Sequence, residues 1–162
     1  MSPAPALIAD AMLGRLAKWL RILGYDVVYD SEIADDLLLL RARAEHRLIL
    51  TRDRGLRYHP AAPQPPVFVQ SDHLPEQLQQ VVRKIGPAVG APFSRCPICN
   101  TVLAPLAREL AGGRVPPFVF ETQTQFSSCA RCGRIYWPGS HWQRMRERLE
   151  GLLSGSFGGE PR

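Results

Sequence analysis

The 162-residue chain carries 20 Lys and Arg against 15 Asp and Glu, with 45% hydrophobic and 22% charged residues, the balance of a folded globular protein rather than a disordered one. It contains no apolar run long enough to span a bilayer, and no charged n-region followed by an apolar h-region at Met1. No membrane partner and a cytoplasmic location are therefore the expectation. In that compartment four cysteines read as metal ligands rather than disulfides. Charge is uneven: residues 1–93 are nearly balanced, whereas residues 94–162 hold nine Lys/Arg against five Asp/Glu, and 18 of the 20 basic residues are arginine. Arginine forks match phosphate; a GC-rich genome would favour the same composition.

Taken in order, Leu7-Ile8-Ala9 is an apolar run that stops at Asp10. Met12, Leu13, Leu16, Trp19, Leu20 and Leu23 then recur at the spacing of an amphipathic helix, and Gly24 suits its left-handed close. Tyr25 to Tyr29 is a second apolar run, ending in Asp30. Strand, helix, strand over so few residues is a βαβ unit, with its two strands parallel. A helix is predicted from Asp36 to His46, with Asp35 or Asp36 as N-cap and Leu37, Leu38, Leu40, Arg41 and Ala44 on its apolar side. Leu48-Ile49-Leu50 reads as a third strand before Thr51-Arg52-Asp53, and Arg54 to Pro66 as a loop. Val67-Phe68-Val69 reads as a fourth strand before Ser71-Asp72, and a helix runs from Pro75 to Ile85. The expected fold class is α/β, a small parallel sheet flanked by helices.

Asp10, Asp30, Asp53 and Asp72 each stand at, or just past, a predicted strand end. In an open parallel sheet the site lies beyond the carboxyl ends of the strands, so these acids gather on one edge. Each alone could be a turn or cap residue. As a set they would repel one another unless a divalent cation, Mg²⁺ or Mn²⁺ by its preference for hard oxygen ligands, relieved the charge. Such an ion can activate water against a phosphodiester. Arg15, Lys18 and Arg21 lie opposite the apolar stripe of the first helix, as a phosphate-tracking ridge or an ordinary solvated face.

The stretch from Pro87 to Phe93 is rich in Pro, Gly and Ala, and composition changes after it. Cys96-Pro97-Ile98-Cys99 and Cys129-Ala130-Arg131-Cys132 are two CxxC pairs, the signature of a four-thiolate zinc ribbon whose closed coordination makes the metal structural. Gly133 permits the left-handed turn a knuckle requires. Val119-Phe120-Glu121 and Arg134 to Trp137 read as ribbon strands. A C-terminal helix from Gln143 to Leu153 carries Arg144, Arg146 and Arg148. Tyr136, Trp137, His141 and Trp142 among these arginines would suit stacking on unpaired bases, or pack the ribbon onto the first domain. The expected division is residues 1–88, a linker at 89–94, ribbon plus C-terminal helix at 95–153, and a disordered tail at 154–162.

The runs IADAMLGRLAKWLRILGYDVVYD, ILTRDRGL, RCPICN and CARCGRIYWPGSHWQRMRERL together resemble the Mut-seven C-terminal RNase family, over about residues 7–150. The resemblance implies a PIN-like nuclease domain with an appended zinc ribbon, and metal-dependent ribonuclease activity. It carries over Asp10, Asp36 (or its neighbour Asp35) and Asp53 as acidic positions binding Mg or Mn, with Asp72 as a further acid. PIN nucleases proper usually carry a glutamate on a central helix; here no glutamate stands in an equivalent place, and Asp36 is the acid available instead.

The leading expectation is thus a ribonuclease in which these acids hold the ion, the Cys96, Cys99, Cys129 and Cys132 thiolates hold zinc, and Arg15, Lys18, Arg52, Arg134, Trp142 and Arg144 bind single-stranded RNA. Two others stand beside it. One is a non-catalytic RNA- or ribosome-binding module on a nuclease-like scaffold. The other is a toxin-type PIN RNase.

Overall fold

The computed structural model describes residues 2–157. Strands β1 (Leu7–Ala9), β2 (Val27–Tyr29), β3 (Leu48–Thr51) and β4 (Val67–Phe68) form one sheet in the order β2-β1-β3-β4, and every pairing is parallel. Helices α1 (Gly14–Ile22) and α2 (Asp35–Ala44) make the first two crossovers. The short α3 (Arg54–Arg57) opens the third, and α4 (Leu74–Ile85) follows β4. The α/β class with a helix-flanked parallel sheet is therefore as expected.

Side chains alternate across a strand, and both faces of this sheet are covered. Leu7 and Ala9 pack with Leu16, Ala17 and Leu20 of α1 and with Leu78 and Val81 of α4. Ile8 and Ile49 lie on the opposite face with Leu38, Leu39 and Ala42 of α2 and Leu56 of α3. Fully burying a leucine or isoleucine contributes about 1.5–3 kcal/mol, which is why three-residue strands suffice here. Asp10 leaves β1 and caps a single 3₁₀ turn, Ala11–Leu13, its Oδ1 accepting from the Met12 N–H at 2.9 Å. Gly24 closes α1 at φ +101°, with Gly90 O so near that a Cβ there would lie 2.3 Å from it.

The second unit is a three-stranded antiparallel sheet, order β5-β6-β7, of β5 (Ala104–Leu106), β6 (Phe126–Ser128) and β7 (Ile135–Tyr136). Two short helices, α5 (Arg108–Ala111) and α6 (Pro117–Thr122), are inserted between β5 and β6. Ala111, Val115 and Phe126 form its small core, with Trp137 edge-on to Phe126 at 6.4 Å. Helix α7 (Ser140–Phe157) then returns to the first unit, where Leu152 and Leu153 join the core and the Leu152 carbonyl accepts from Gln79 Nε2 at 2.8 Å.

Several expectations are corrected. Met12, Leu37, Leu40 and Ala44 are exposed; Leu39 and Ala42 are buried instead. Four successive leucines carry no period, so packing alone set the phase of α2. Its N-cap is Ala34, with Asp35 and Asp36 inside the first turn. Val119 to Glu121 is helical, because Pro116-Pro117 supplies a helix start and removes a ladder donor. Helix α7 begins at Ser140 and runs through Phe157, so residues 154–157 of the expected tail are helix; residues 158–162 lie outside the described residues. Packing of Leu149, Leu152 and Leu153 outweighs the low helix propensity of Gly151. Within the linker, Gly90 N–H donates to Gly24 O (3.2 Å) and Phe93 N–H to Ile22 O (2.7 Å).

Candidate active site and metal centre

The chain steps from β1 outward to β2 and then back across β1 to β3, so strand order reverses between β1 and β3. In such sheets the crevice beyond the carboxyl ends at that reversal is where ligands bind. Asp10 ends β1, and Thr51-Arg52-Asp53 ends β3 directly beside it.

Asp10 is 4% exposed, and burying a carboxylate there requires donors. Three converge on it. Met12 N–H donates to Oδ1, while the Thr51 hydroxyl and Arg52 N–H (2.9 Å) both donate to Oδ2. Thr51, fully buried, also accepts from the Asp53 N–H at 2.9 Å. One hydroxyl thus ties the Asp10 side chain to the Asp53 backbone. Asp53 caps α3, with Oδ1 accepting from Gly55 N–H at 2.7 Å. A carboxylate offers about four acceptor positions, so Asp10 keeps about one and Asp53 several.

The other acids occupy the same edge but stand apart. Asp36 is exposed in the first turn of α2, its Oδ1 accepting from Leu37 N–H; Asp30 caps its own turn through Glu32 N–H. Asp72 is exposed beside His73 (3.5 Å), lining a shallow groove with Gln70, Ser71, Glu76 and Gln80. Among the described residues, the group of three or more ligands that could hold a metal is the four cysteines, not the acids. A hydrated Mg²⁺ needs only one or two carboxylates plus substrate phosphate, a requirement that Asp10 with Asp53 could meet.

Cys96, Cys99, Cys129 and Cys132 are free thiols whose sulfurs lie within 4.8 Å of one another. The Cys96–Cys132 sulfur separation is 3.8 Å, the edge of a tetrahedron with metal–sulfur distances of about 2.3 Å. The two knuckles repeat one geometry. Asn100 N–H returns to Cys96 O and Gly133 N–H to Cys129 O, both at 2.8 Å, and both residues are left-handed, at φ +66° and +75°. The backbone and side chain of Arg134 hydrogen-bond to Cys132 and bring it down to about 6, while desolvation and the neighbouring thiols push Cys99 up to about 12. Four crowded thiols cannot all ionise alone; a divalent soft-ligand cation removes that repulsion, and the donor set fits zinc.

The expected RNA contacts are scattered. Arg15 and Lys18 are exposed on α1. Arg52 braces the end of β4, donating to Val69 O (3.2 Å) and Gln70 O (2.9 Å). Arg134 leans on Cys132. The Trp142 ring lies 4.6 Å from Phe93, with the Arg146 guanidinium 5.5 Å from its centroid. Arg144 is exposed and returns to Ser140 O. His141 is exposed and outside the thiol group. Arg21, expected on the solvated face, is 6% exposed and bonded to the first knuckle. Sequence reasoning missed Thr51 and Asn100. Asn100 had a visible signal: it stands after the first CxxC where Gly133 stands after the second, and asparagine tolerates the left-handed region.

Among the described residues no helix is long and apolar enough to cross a membrane. A family model described as the Mut7-C RNAse domain matches residues 5–149. No curated protein and no solved structure matches the chain.

Proposed function

We propose that this chain, which belongs to the Mut7-C RNAse domain family, is a metal-dependent ribonuclease that hydrolyses phosphodiester bonds of single-stranded RNA in the cytoplasm. The observation that carries the reading is the pairing of Asp10 and Asp53 through Thr51 at the crevice between β1 and β3. These two carboxylates would hold a hydrated Mg²⁺ or Mn²⁺ ion, with Asp36 and Asp72 as acids on the same edge. The ion would supply Lewis-acid polarisation of the phosphodiester and activation of water. Asp10 is buried and fixed by three donors, and would set the position of the site; Asp53, whose Oδ1 accepts from Gly55 N–H, would offer its other oxygen to the ion. Exposed Arg15, Lys18 and Arg144 would attract the RNA backbone. Zinc in the four-thiolate centre would be structural, since no coordination position is left open.

One observation favours a second reading. The acids Asp36 and Asp72 are not gathered with Asp10 into a three-ligand group, as a non-catalytic RNA-binding module would allow. The two readings separate in one experiment. Zinc-loaded protein is incubated with labelled single-stranded RNA, with and without added Mg²⁺ or Mn²⁺, beside Asp10→Asn and Asp53→Asn variants of verified fold and zinc content. Cleavage that requires the added ion and is lost in both variants supports the ribonuclease. Retained RNA binding without cleavage under any ion overturns it.

A further inference from the structure

Strand β2 is one of the two edges of the parallel sheet, the other being β4, and an unpaired edge invites mispairing unless it is covered. Leu7, the register partner of Val27 on β1, sends its own N–H to Asp26 O at 2.8 Å, so in this parallel ladder the Val27 backbone N–H and C=O face away from β1. Neither is left to solvent. The N–H donates to Asn100 Oδ1 at 3.0 Å, and the C=O accepts from Arg21 Nε at 2.9 Å. Both side chains lead to the first cysteine knuckle. Asn100 is its left-handed turn residue, and Nη1 of Arg21 donates to Pro97 O and Ile98 O, both at 3.1 Å, between the two cysteines. Asn100 Nδ2 also donates to Asp26 Oδ1 at 2.7 Å.

The charge on Arg21 sharpens the point. It is buried, and among the described residues its hydrogen bonds all go to backbone carbonyls. Buried cations are paired with negative charge. Four thiolates around a divalent ion carry a formal charge of about −2. Burial holds the Arg21 pKa below its ordinary value, and the negative groups that oppose this are Cys96 and Cys99, then Asp26. Beyond Val27, the same strand reaches the candidate active site. The hydroxyl of Tyr29 donates to the Ala11 carbonyl at 3.0 Å, in the turn that Asp10 caps, and Gly14 leaves room for it.

We propose that the first cysteine knuckle is a metal-dependent latch on the edge of the nuclease sheet. Arg21 serves as the buried counter-charge of the thiolate centre, and Asn100 as the clasp on Val27. Metal loss releases β2, and through Tyr29 it loosens the turn that carries Asp10. This inference rests on the thiolate centre holding zinc and is independent of whether RNA is cut.

Amide hydrogen exchange of the full chain, read residue by residue with and without a zinc chelator, tests it. The Val27 amide should exchange at least about tenfold faster without zinc. Asn100→Gly keeps the left-handed turn at no steric cost. It should retain its zinc yet show the fast Val27 exchange whether metal is present or not. Arg21→Met should lower zinc affinity by about tenfold, the lower end of what removing an outer-shell partner costs. Arg21→Lys, which restores charge without the fork, should recover most of that affinity. A Val27 amide equally slow in all forms overturns the latch, as does an Arg21→Met protein with wild-type zinc affinity. A chain that binds no zinc at all fails at the metal reading itself, a different result.

Discussion

Replacing Asp10 by asparagine removes a charge and also breaks the hydrogen-bond arrangement around it. Three donors converge on the two oxygens of Asp10, and asparagine offers one oxygen and an NH₂ group. With the oxygen turned towards Thr51 and Arg52, the NH₂ confronts the Met12 N–H and the cap of the 3₁₀ turn is lost. With it reversed, the NH₂ confronts the Arg52 N–H. Either way a donor in a buried place is left without an acceptor, a cost of about 1–3 kcal/mol. For a chain of this size each kcal/mol shifts the melting temperature by about 2–4 °C, so Asp10→Asn should melt about 5 °C lower yet remain folded. Asp53→Asn is the internal comparison. Its role in the fold is to cap α3, and asparagine caps about as well as aspartate, so its melt should stay within about 1 °C of wild type. Calorimetric melts of the three proteins at equal zinc content check this. Equal melting of Asp10→Asn and wild type, or equal losses in the two variants, would refute the three-donor cradle.

Gly24→Ala should destabilise by at least about 2 kcal/mol, because φ +101° is strained for any L side chain and a Cβ would collide with Gly90 O. Its signature should be earlier proteolysis within residues 89–94, and a variant as resistant as wild type would argue against the packed linker. Asp26 tests pH dependence. Desolvation raises its pKa, but hydrogen bonds from Arg47 and Asn100 outweigh that and hold it below the usual carboxylate value. A depressed folded-state pKa stabilises above the unfolded value and is lost as pH falls through the folded one, here below about pH 4. Asp26→Asn should therefore flatten the acid limb of the stability curve, measured by urea denaturation across pH; an unchanged limb would sink the assignment.

Much of the fold was legible because it depends on local pattern. The four short apolar runs read as strands, Leu48-Ile49-Leu50 as one buried on both faces, and their alternation with helical periods made the sheet parallel. The CxxC spacing needed no tertiary information, since each knuckle is a local turn that brings two sulfurs together. Asp10 was legible for the same reason: an acid directly after a buried strand is placed by that strand. The misreadings share one cause. Leu37 to Leu40 could face either way, and Val119 to Glu121 had the composition of a strand but followed two prolines.

Chain order and residue type by themselves determined the α/β class, the thiolate centre and the edge on which the acids stand. Periodicity and turn chemistry act within a few residues. The tertiary structure alone decided that Thr51 joins Asp10 to Asp53, and that Arg21 and Asn100 fasten the knuckle to β2. The long-range bonds among these, Thr51 to Asp10, Arg21 to Pro97 and Ile98, and Asn100 to Val27, join residues 41 to 77 positions apart, and no local preference of a threonine, an arginine or an asparagine specifies so distant a partner. A buried guanidinium and a solvated one are the same letters on the same helix; what differs is the backbone carbonyls that folding brings to meet it.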